Sequence, residues 1–156
     1  MQGPEEAHRC AELMAGSQPW ITLQRSYERC LKALNDPIRE VYVAVEGNEF
    51  VGFVILALRG PFSGYIQSIA VAEGRRNCGI GRKLIAFSEE LILRQSPNIF
   101  LCVSSFNSGA QRFYARLGYE QVGELHDYVV RGHSEILMRK SLGPIAEFTA
   151  VGQGLL

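Results

Sequence analysis

The stretch Arg76-Asn77-Cys78-Gly79-Ile80-Gly81 carries the clearest chemistry in this 156-residue chain, two closely spaced glycines between an apolar run and an amphipathic one. Upstream, Tyr65 to Val71 is rich in β-branched and aromatic residues, the pattern of a strand; downstream, Ile80, Leu84, Phe87 and Leu91 recur at helical spacing. The glycines therefore fall at a strand-to-helix turn. First-turn N–H groups of a helix lack intrahelical partners and lie at the positive end of its dipole, so they can hold a phosphate. A side chain at 79 or 81 would keep the phosphate oxygens off those amides. The alternative is an ordinary flexible turn whose Arg75, Arg76, Arg82 and Lys83 form a solvated helix face. On the phosphate reading the cradle comprises Arg76, Asn77, Cys78, Gly79, Ile80, Gly81 and Arg82, with the two arginines contributing chiefly main-chain amides.

Two familiar phosphate motifs fail on specific positions. Gly74 and Gly79 have the spacing of a P-loop, but Ile80 and Gly81 stand where its lysine and hydroxyl are needed. A dinucleotide fingerprint requires a third glycine where Leu84 stands. Neither a Mg-nucleotide site nor a dinucleotide-binding unit is supported.

The pattern that fits is Arg/Gln-x-x-Gly-x-Gly/Ala, filled by Arg76, Gly79 and Gly81, followed by Asn107, Ala110, Phe113-Tyr114 and Leu117-Gly118-Tyr119. In these residues the chain resembles the GNAT superfamily of acyl-CoA-dependent N-acyltransferases. The two signatures span residues 65 to 120, with compatible flanks to residue 142. The resemblance implies an α/β (α+β) fold: a central mixed, mostly antiparallel twisted sheet, splayed between two parallel central strands and flanked by helices. It implies one acetyltransferase domain over 1–142, followed by a tail over 143–156. It also implies acetyl-CoA as cosubstrate, its pantetheine arm entering where the strands part and pairing with main-chain groups of Ile69, Ala70 and Val71. Tyr114 occupies the position of the family's tyrosine general acid, which protonates the departing thiolate. Ala110, Phe113, Tyr114 and Leu117 also form an i, i+3, i+4, i+7 stripe, the pattern of a core face. Asn107 either bonds the pantetheine or caps the following helix.

The implied reaction is attack of a neutral amine on a thioester, through a tetrahedral oxyanion that a backbone N–H such as that of Val71 could polarise. Ribosomal-protein alanine acetyltransferases, a branch of this family, carry a Leu-Glu-Val-Arg run with the glutamate as base. Here the corresponding run is Leu101-Cys102-Val103-Ser104, without a carboxylate. Cys102 in an apolar strand reads as packing. A water-relayed base remains, with Glu46, Glu124, His126 and His133 as contributors. An α-amine titrates near about 7.7 to 8.0 against about 10.4 for lysine, which favours α-amines or weakly basic amines as acceptors. The acceptor is thus a small-molecule amine or a peptide N-terminus, and Trp20, Tyr27 and Tyr128 are candidates for its pocket wall. A non-catalytic acyl-CoA binding or sensing module, or a partner-binding domain that keeps only the fold, are the alternative readings.

The elements that must position these residues are legible in the same patterns. Pro4 to Met14 and Leu23 to Leu34 read as helices separated by Ser17-Gln18-Pro19-Trp20. Arg39 to Glu46 and Glu49 to Leu58 form a hairpin about Gly47-Asn48. Asn98 to Ser104 is a buried strand, Ser108 to Leu117 a helix capped by Gly118, and Gln121 to Val130 with Ser134 to Ser141 a closing pair. The family's domains usually begin with a strand before the first helix. Here only a few polar residues precede Pro4, so that strand is either missing or supplied from elsewhere.

Composition bounds the alternatives. Hydrophobic residues at 47% and charged residues at 21% suffice for a globular core, and no apolar run reaches membrane-spanning length. Sixteen basic residues balance sixteen acidic ones without a basic block, which argues against a nucleic-acid partner. Cys10, Cys30, Cys78 and Cys102 have no metal-ligand spacing, so free thiols and no metal are expected. The opening Met1-Gln2-Gly3-Pro4 is not signal-like, which gives a cytoplasmic expectation. A homodimer is left open.

Overall fold

The second strand of the hairpin is buried along nearly its whole length, because it is covered on both faces. Its alternating side chains go to two cores: Val54 and Leu56 on one side of the sheet, Phe53 and Ile55 on the other. The computed structural model describes residues 1–150. In chain order it contains α1 (Pro4–Ala15), α2 (Tyr27–Leu34), β1 (Glu40–Glu46), β2 (Glu49–Ala57), β3 (Tyr65–Val71), α3 (Ile80–Leu93), β4 (Asn98–Ser104), α4 (Ser108–Arg116), β5 (Glu120–Leu125) and β6 (Glu135–Ser141). A short 3-10 turn, Glu73–Arg75, links β3 to α3, and a second spans Ile145–Glu147. Part of the expected C-terminal tail, residues 151–156, lies outside the described residues.

The six strands run in the order β1-β2-β3-β4-β6-β5, and every neighbouring pair is antiparallel except β3 with β4. This is the mixed sheet expected. Helices α1 and α2 cover one face through Cys10, Ala11, Met14, Cys30 and Leu34. The opposite face is covered by α3 and α4, whose Ile80, Leu84, Ile85, Ile92 and Tyr114 pack on Ile66, Ile99, Leu101 and Val103.

No strand precedes α1 among the described residues. β1 is the edge strand, and the Met1 ammonium donates to the Val41 carbonyl at 2.7 Å. No described helix is long and apolar enough to cross a membrane.

Local differences from the sequence patterns have local causes. The second helix starts at Tyr27 rather than Leu23, because Gln24 adopts φ 52° and Ser26 caps the helix by accepting from the Arg29 N–H at 3.3 Å. Strand β5 ends at Leu125, with Asp127 at φ 51° turning the chain away before Val130. Phe87 is 40% exposed, since the buried stripe of α3 runs through Ile80, Leu84, Ile85, Ser88 and Ile92. Its ring instead lies edge-on to Tyr42 at 4.9 Å.

Candidate active site

The two glycines lie at the turn between β3 and α3. Gly79 is the N-cap of α3 in the left-handed region (φ 81°), and no side chain caps this end. The Gly79 carbonyl accepts from the Lys83 N–H at 3.0 Å, so the amides of Ile80, Gly81 and Arg82 are left without intrahelical acceptors. A Cβ at Gly79 would have open space around it, and one at Gly81 would meet only Phe113 Cζ and Val71 Cγ2 at 3.8 Å. The left-handed φ accounts for glycine at 79, whereas at 81 neither the backbone conformation nor the packing excludes a side chain. Unobstructed amides at this turn are what a bound phosphate would need.

Strand β3 leads into this cradle and parts from β4 just before it. Parallel pairing is confined to Tyr65 with Phe100 and Ile66 with Leu101. The antiparallel register with β2 slips at the same place, from Leu56 opposite Ile66 to Ile55 opposite Ser68, which makes Gln67 a bulge. A bulge bends its strand and sharpens the local twist, so β3 leaves β4 from Gln67 onward. Backbone groups alternate along a strand, and the Ala72 N–H is turned to β2, where it bonds the Val51 carbonyl at 3.0 Å. The Val71 and Ile69 amides accordingly face the gap. Ala70 differs from the expectation, because its carbonyl lies on the β2 side, where it would crowd a Cβ on Gly52 at 2.5 Å. Ala70 lines the opening, and its side chain belongs to the core under α1 and α2. Buried Gln67 Oε1 has no hydrogen-bond partner among the described residues.

The gap opens into a cavity of about 980 Å³ that passes between the two strands. Of the residues singled out from sequence, Ile69, Ala70, Val71, Arg76, Asn77, Gly79, Gly81, Arg82, Asn107 and Tyr114 line it. Cys78 and Ile80 do not: the thiol of Cys78 is exposed outside, and Ile80 is buried in the core beneath α3. Arg76 folds back, its Nε 3.4 Å from the Val71 carbonyl and its Nη2 3.5 Å from Ser17 Oγ. Asn107 caps α4, with Oδ1 accepting from the Ala110 N–H at 3.2 Å. Tyr114 is 7% exposed and wedged edge-on between the rings of Phe113 and Tyr119, at 5.3 and 5.8 Å. Burial pushes its phenol well above the ordinary range, so it stays protonated and able to donate.

A carboxylate that sequence patterns did not single out lies at the far wall. Glu135, the first residue of β6, is only 6% exposed and lines the cavity. Register sets it opposite Ser104 at the end of β4, and Ser104 Oγ donates to Glu135 Oε1 at 2.7 Å. Burial raises its carboxyl above the usual carboxylate range, against the Ser104 hydrogen bond and the charge of Arg25, which draw it down. Tyr65 and Cys102 meet beside it, and burial raises both of their acidic groups. The Cys102 thiol is therefore kept from its nucleophilic form. Strand alternation turns Cys102 and Ser104 to the α1/α2 side and Leu101 and Val103 to the α3/α4 side, where Tyr114 also lies. The cavity thus has a protonated phenol on one side of the sheet and a carboxylate on the other.

The bases considered from sequence lie elsewhere, and none lines the cavity. Glu46 sits 3.4 Å from Arg75, which also binds Glu49 at 2.6 Å and so turns away from the cradle. Glu124 lies 3.5 Å from His126, which contacts Ser134 Oγ, and His133 packs edge-on against Phe106. Trp20 and Tyr128 border the cavity, whereas Tyr27 stacks on His8 outside it.

Residues 6–119 match the Acetyltransferase (GNAT) family. An uncharacterized N-acetyltransferase of Chlorobaculum tepidum is 32% identical over 102 residues, covering 65% of this chain and 61% of that protein. An N-alpha-acetyltransferase of Sulfurisphaera tokodaii is 30% identical over 114 residues, covering 65% of this chain and 68% of its own length. The matches thus span about three fifths to two thirds of these relatives. An aminoglycoside 6'-N-acetyltransferase solved with coenzyme A superposes with a TM-score of 0.69 at 22% identity, over 91% of this chain and 93% of that one, a likeness of fold. With a family match over most of its length and a sheet that parts beside a glycine-capped helix, the chain belongs to the Acetyltransferase (GNAT) family.

Proposed function

We propose that this chain is an N-acetyltransferase that moves an acetyl group from acetyl-CoA to a primary amine by direct attack in a ternary complex. The observation that carries the reading is the parting of β3 from β4 beside the uncapped N-terminus of α3. That opening offers free main-chain groups to a pantetheine amide and orphaned N–H groups to a diphosphate. The structurally similar aminoglycoside acetyltransferase was solved with coenzyme A, which supports the same ligand here.

When bound, the cosubstrate supplies an activated acetyl carbonyl, and the chain's own groups handle orientation and protons. The Val71 amide faces the gap and can donate to the carbonyl oxygen as that oxygen gains negative charge. Tyr114, protonated and held by its aromatic neighbours, can deliver a proton to the departing sulfur. Glu135, on the opposite side of the sheet, can accept the proton of the incoming ammonium, its raised carboxyl being closer in basicity to an amine than an ordinary one. The carboxylate missing at Cys102 is thereby supplied from β6, which favours catalysis over a sensing role. The acceptor is a small amine or a peptide N-terminus.

The test is Tyr114→Phe. It should lower kcat by about a hundredfold, the usual scale of lost general-acid assistance, while coenzyme A affinity is kept. Unchanged kcat would remove Tyr114 from the mechanism, and an enzyme that binds coenzyme A but turns over no amine would leave the sensing reading.

A further inference from the structure

Among the described residues, seven charged ones line the large cavity: Arg25, Arg29, Arg39, Arg76, Arg82 and Arg116 against Glu135 alone. Arg76 and Arg82 flank the glycine cradle, and Arg116 ends α4 on the same side of the sheet. Arg39 lies 3.8 Å from Asp36. Arg25 and Arg29 remain, the first in the loop before α2 and the second in its first turn, on the side where Glu135 faces the opening. Neither forms an ion pair among the described residues.

These two arginines also border a second recess of about 370 Å³, closed by Leu23 and Gln24 on one side and by Tyr128, Val129 and Val130 on the other. The recess adjoins the main cavity, since Leu23, Arg25, Arg29, Tyr128 and Val129 line both. Among the described residues, two arginines and no acidic residue line it. Arg25 links the two ends of the arrangement: its charge reaches the Glu135 carboxyl without forming an ion pair with it. An acceptor in this space therefore meets a carboxylate at the inner end and cationic forks at the outer end. A polycation would be repelled at the outer end, and a simple alkylamine would leave both forks unmatched.

Resting on the acetyltransferase reading, we infer that the acceptor is a small amphoteric amine, a molecule whose amino group enters toward Glu135 while its own carboxylate or phosphate sits in the recess between Arg25 and Arg29. The planar guanidinium fork binds either anion through paired N–H donors, and the shared chemistry is the anionic oxygen group. The recess is the specificity element, and the amine chemistry stays at the β3–β4 gap.

The test measures coenzyme A release from acetyl-CoA with acceptors matched in pairs: β-alanine against β-alaninamide, and O-phosphoethanolamine against ethanolamine. The anionic member of at least one pair should have a kcat/KM about tenfold above its neutral partner, the scale of one or two charge-assisted hydrogen bonds. The pair that shows the larger ratio tells carboxylate from phosphate. In the Arg25→Gln/Arg29→Gln double variant the ratio should collapse toward one, chiefly through KM, with coenzyme A affinity kept. Neutral partners that match or exceed the anionic ones overturn the inference, as does a preference that survives the double variant or a faster reaction with spermidine. In each of those cases the acetyltransferase reading stands. Absence of turnover with every amine, while coenzyme A still binds, overturns that reading and the inference with it.

Discussion

Ser104 Oγ donates to Glu135 Oε1 at 2.7 Å across β4 and β6, joining residues 31 positions apart at the wall of the strand gap. The bond fixes the orientation of the one carboxylate that lines the cavity among the described residues and leaves its second oxygen to an incoming group. Glu135→Gln keeps the size and the hydrogen-bonding capacity but loses the proton acceptor. Its kcat should fall by about a hundredfold to ten-thousandfold, the range of lost general-base catalysis, with little change in coenzyme A affinity. Stopped turnover assays with a thiol-reactive dye decide the point, and a variant with wild-type kcat would exclude Glu135 as base.

The pH profile gives a second reading of the same pair. Rate is lost as pH falls through the Glu135 pKa, and burial has raised that pKa, so the acid limb should lie above the ordinary carboxylate range. The Ser104 bond draws the pKa down. Ser104→Ala should therefore move the limb to higher pH, and Glu135→Gln should abolish it. A limb that stays in place in Ser104→Ala would break the link between the two residues.

Stability should carry the same signature with a definite sign. The folded carboxyl holds its proton more tightly than the unfolded one, which ionises near about 4.3. The folded state thus binds more protons over the window from that value up to the raised pKa, and stability falls as pH rises through it. Glu135→Gln removes this term. Its Tm relative to the parent protein should climb between pH 4 and 7, and thermal melts across that range are the measurement. A constant Tm difference would contradict the raised pKa.

Gly81→Ala separates folding from ligand binding. Gly81 lies within the first turn of α3, and an added Cβ meets Phe113 and Val71 at ordinary contact distance. Alanine in a helix should stabilise the fold by about 0.5–1 kcal/mol. The same methyl group obstructs the approach of phosphate oxygens to the amides, so coenzyme A affinity should fall by about tenfold, equivalent to one lost charge-assisted hydrogen bond. Denaturant melts and calorimetric titration read the two effects. A stabilised variant with unchanged affinity would show that no phosphate lies over Gly81.

Cys78 reports on the cradle from outside. Cys10 and Cys30 are buried, and burial pushes the Cys10 thiol up to about 12 and raises that of Cys30. The exposed Cys78 should be the first of the four to react with iodoacetamide at pH 8. Its backbone adjoins Gly79, so a bound diphosphate should shield it. Peptide mapping should show slower modification of Cys78 in the presence of coenzyme A. Equal rates with and without the ligand would argue against binding at this turn.

Local patterns carried much of the architecture. β3 and β4 occupy the residues that their apolar runs delimit, and the hairpin and α3 follow from periodicity and turn residues, because those signals act over a few positions. The cradle was legible for the same reason: its glycines and the helix they open are neighbours in the chain. Cap geometry already blurred the edges, as at Gln24 and Ser26, where a single positive φ delays α2. What tertiary structure alone decided is which distant groups meet. Glu135 looks in sequence like any charge beside a loop, and only the register of β6 on β4 buries it beside Ser104 at the cavity wall. The gap itself arises where a bulge at Gln67 ends the parallel pairing, and Arg25 reaches the same cavity from a loop between two helices. Strand register and loop placement are set by the packing of the whole sheet, which leaves no periodic mark on the residues it brings together.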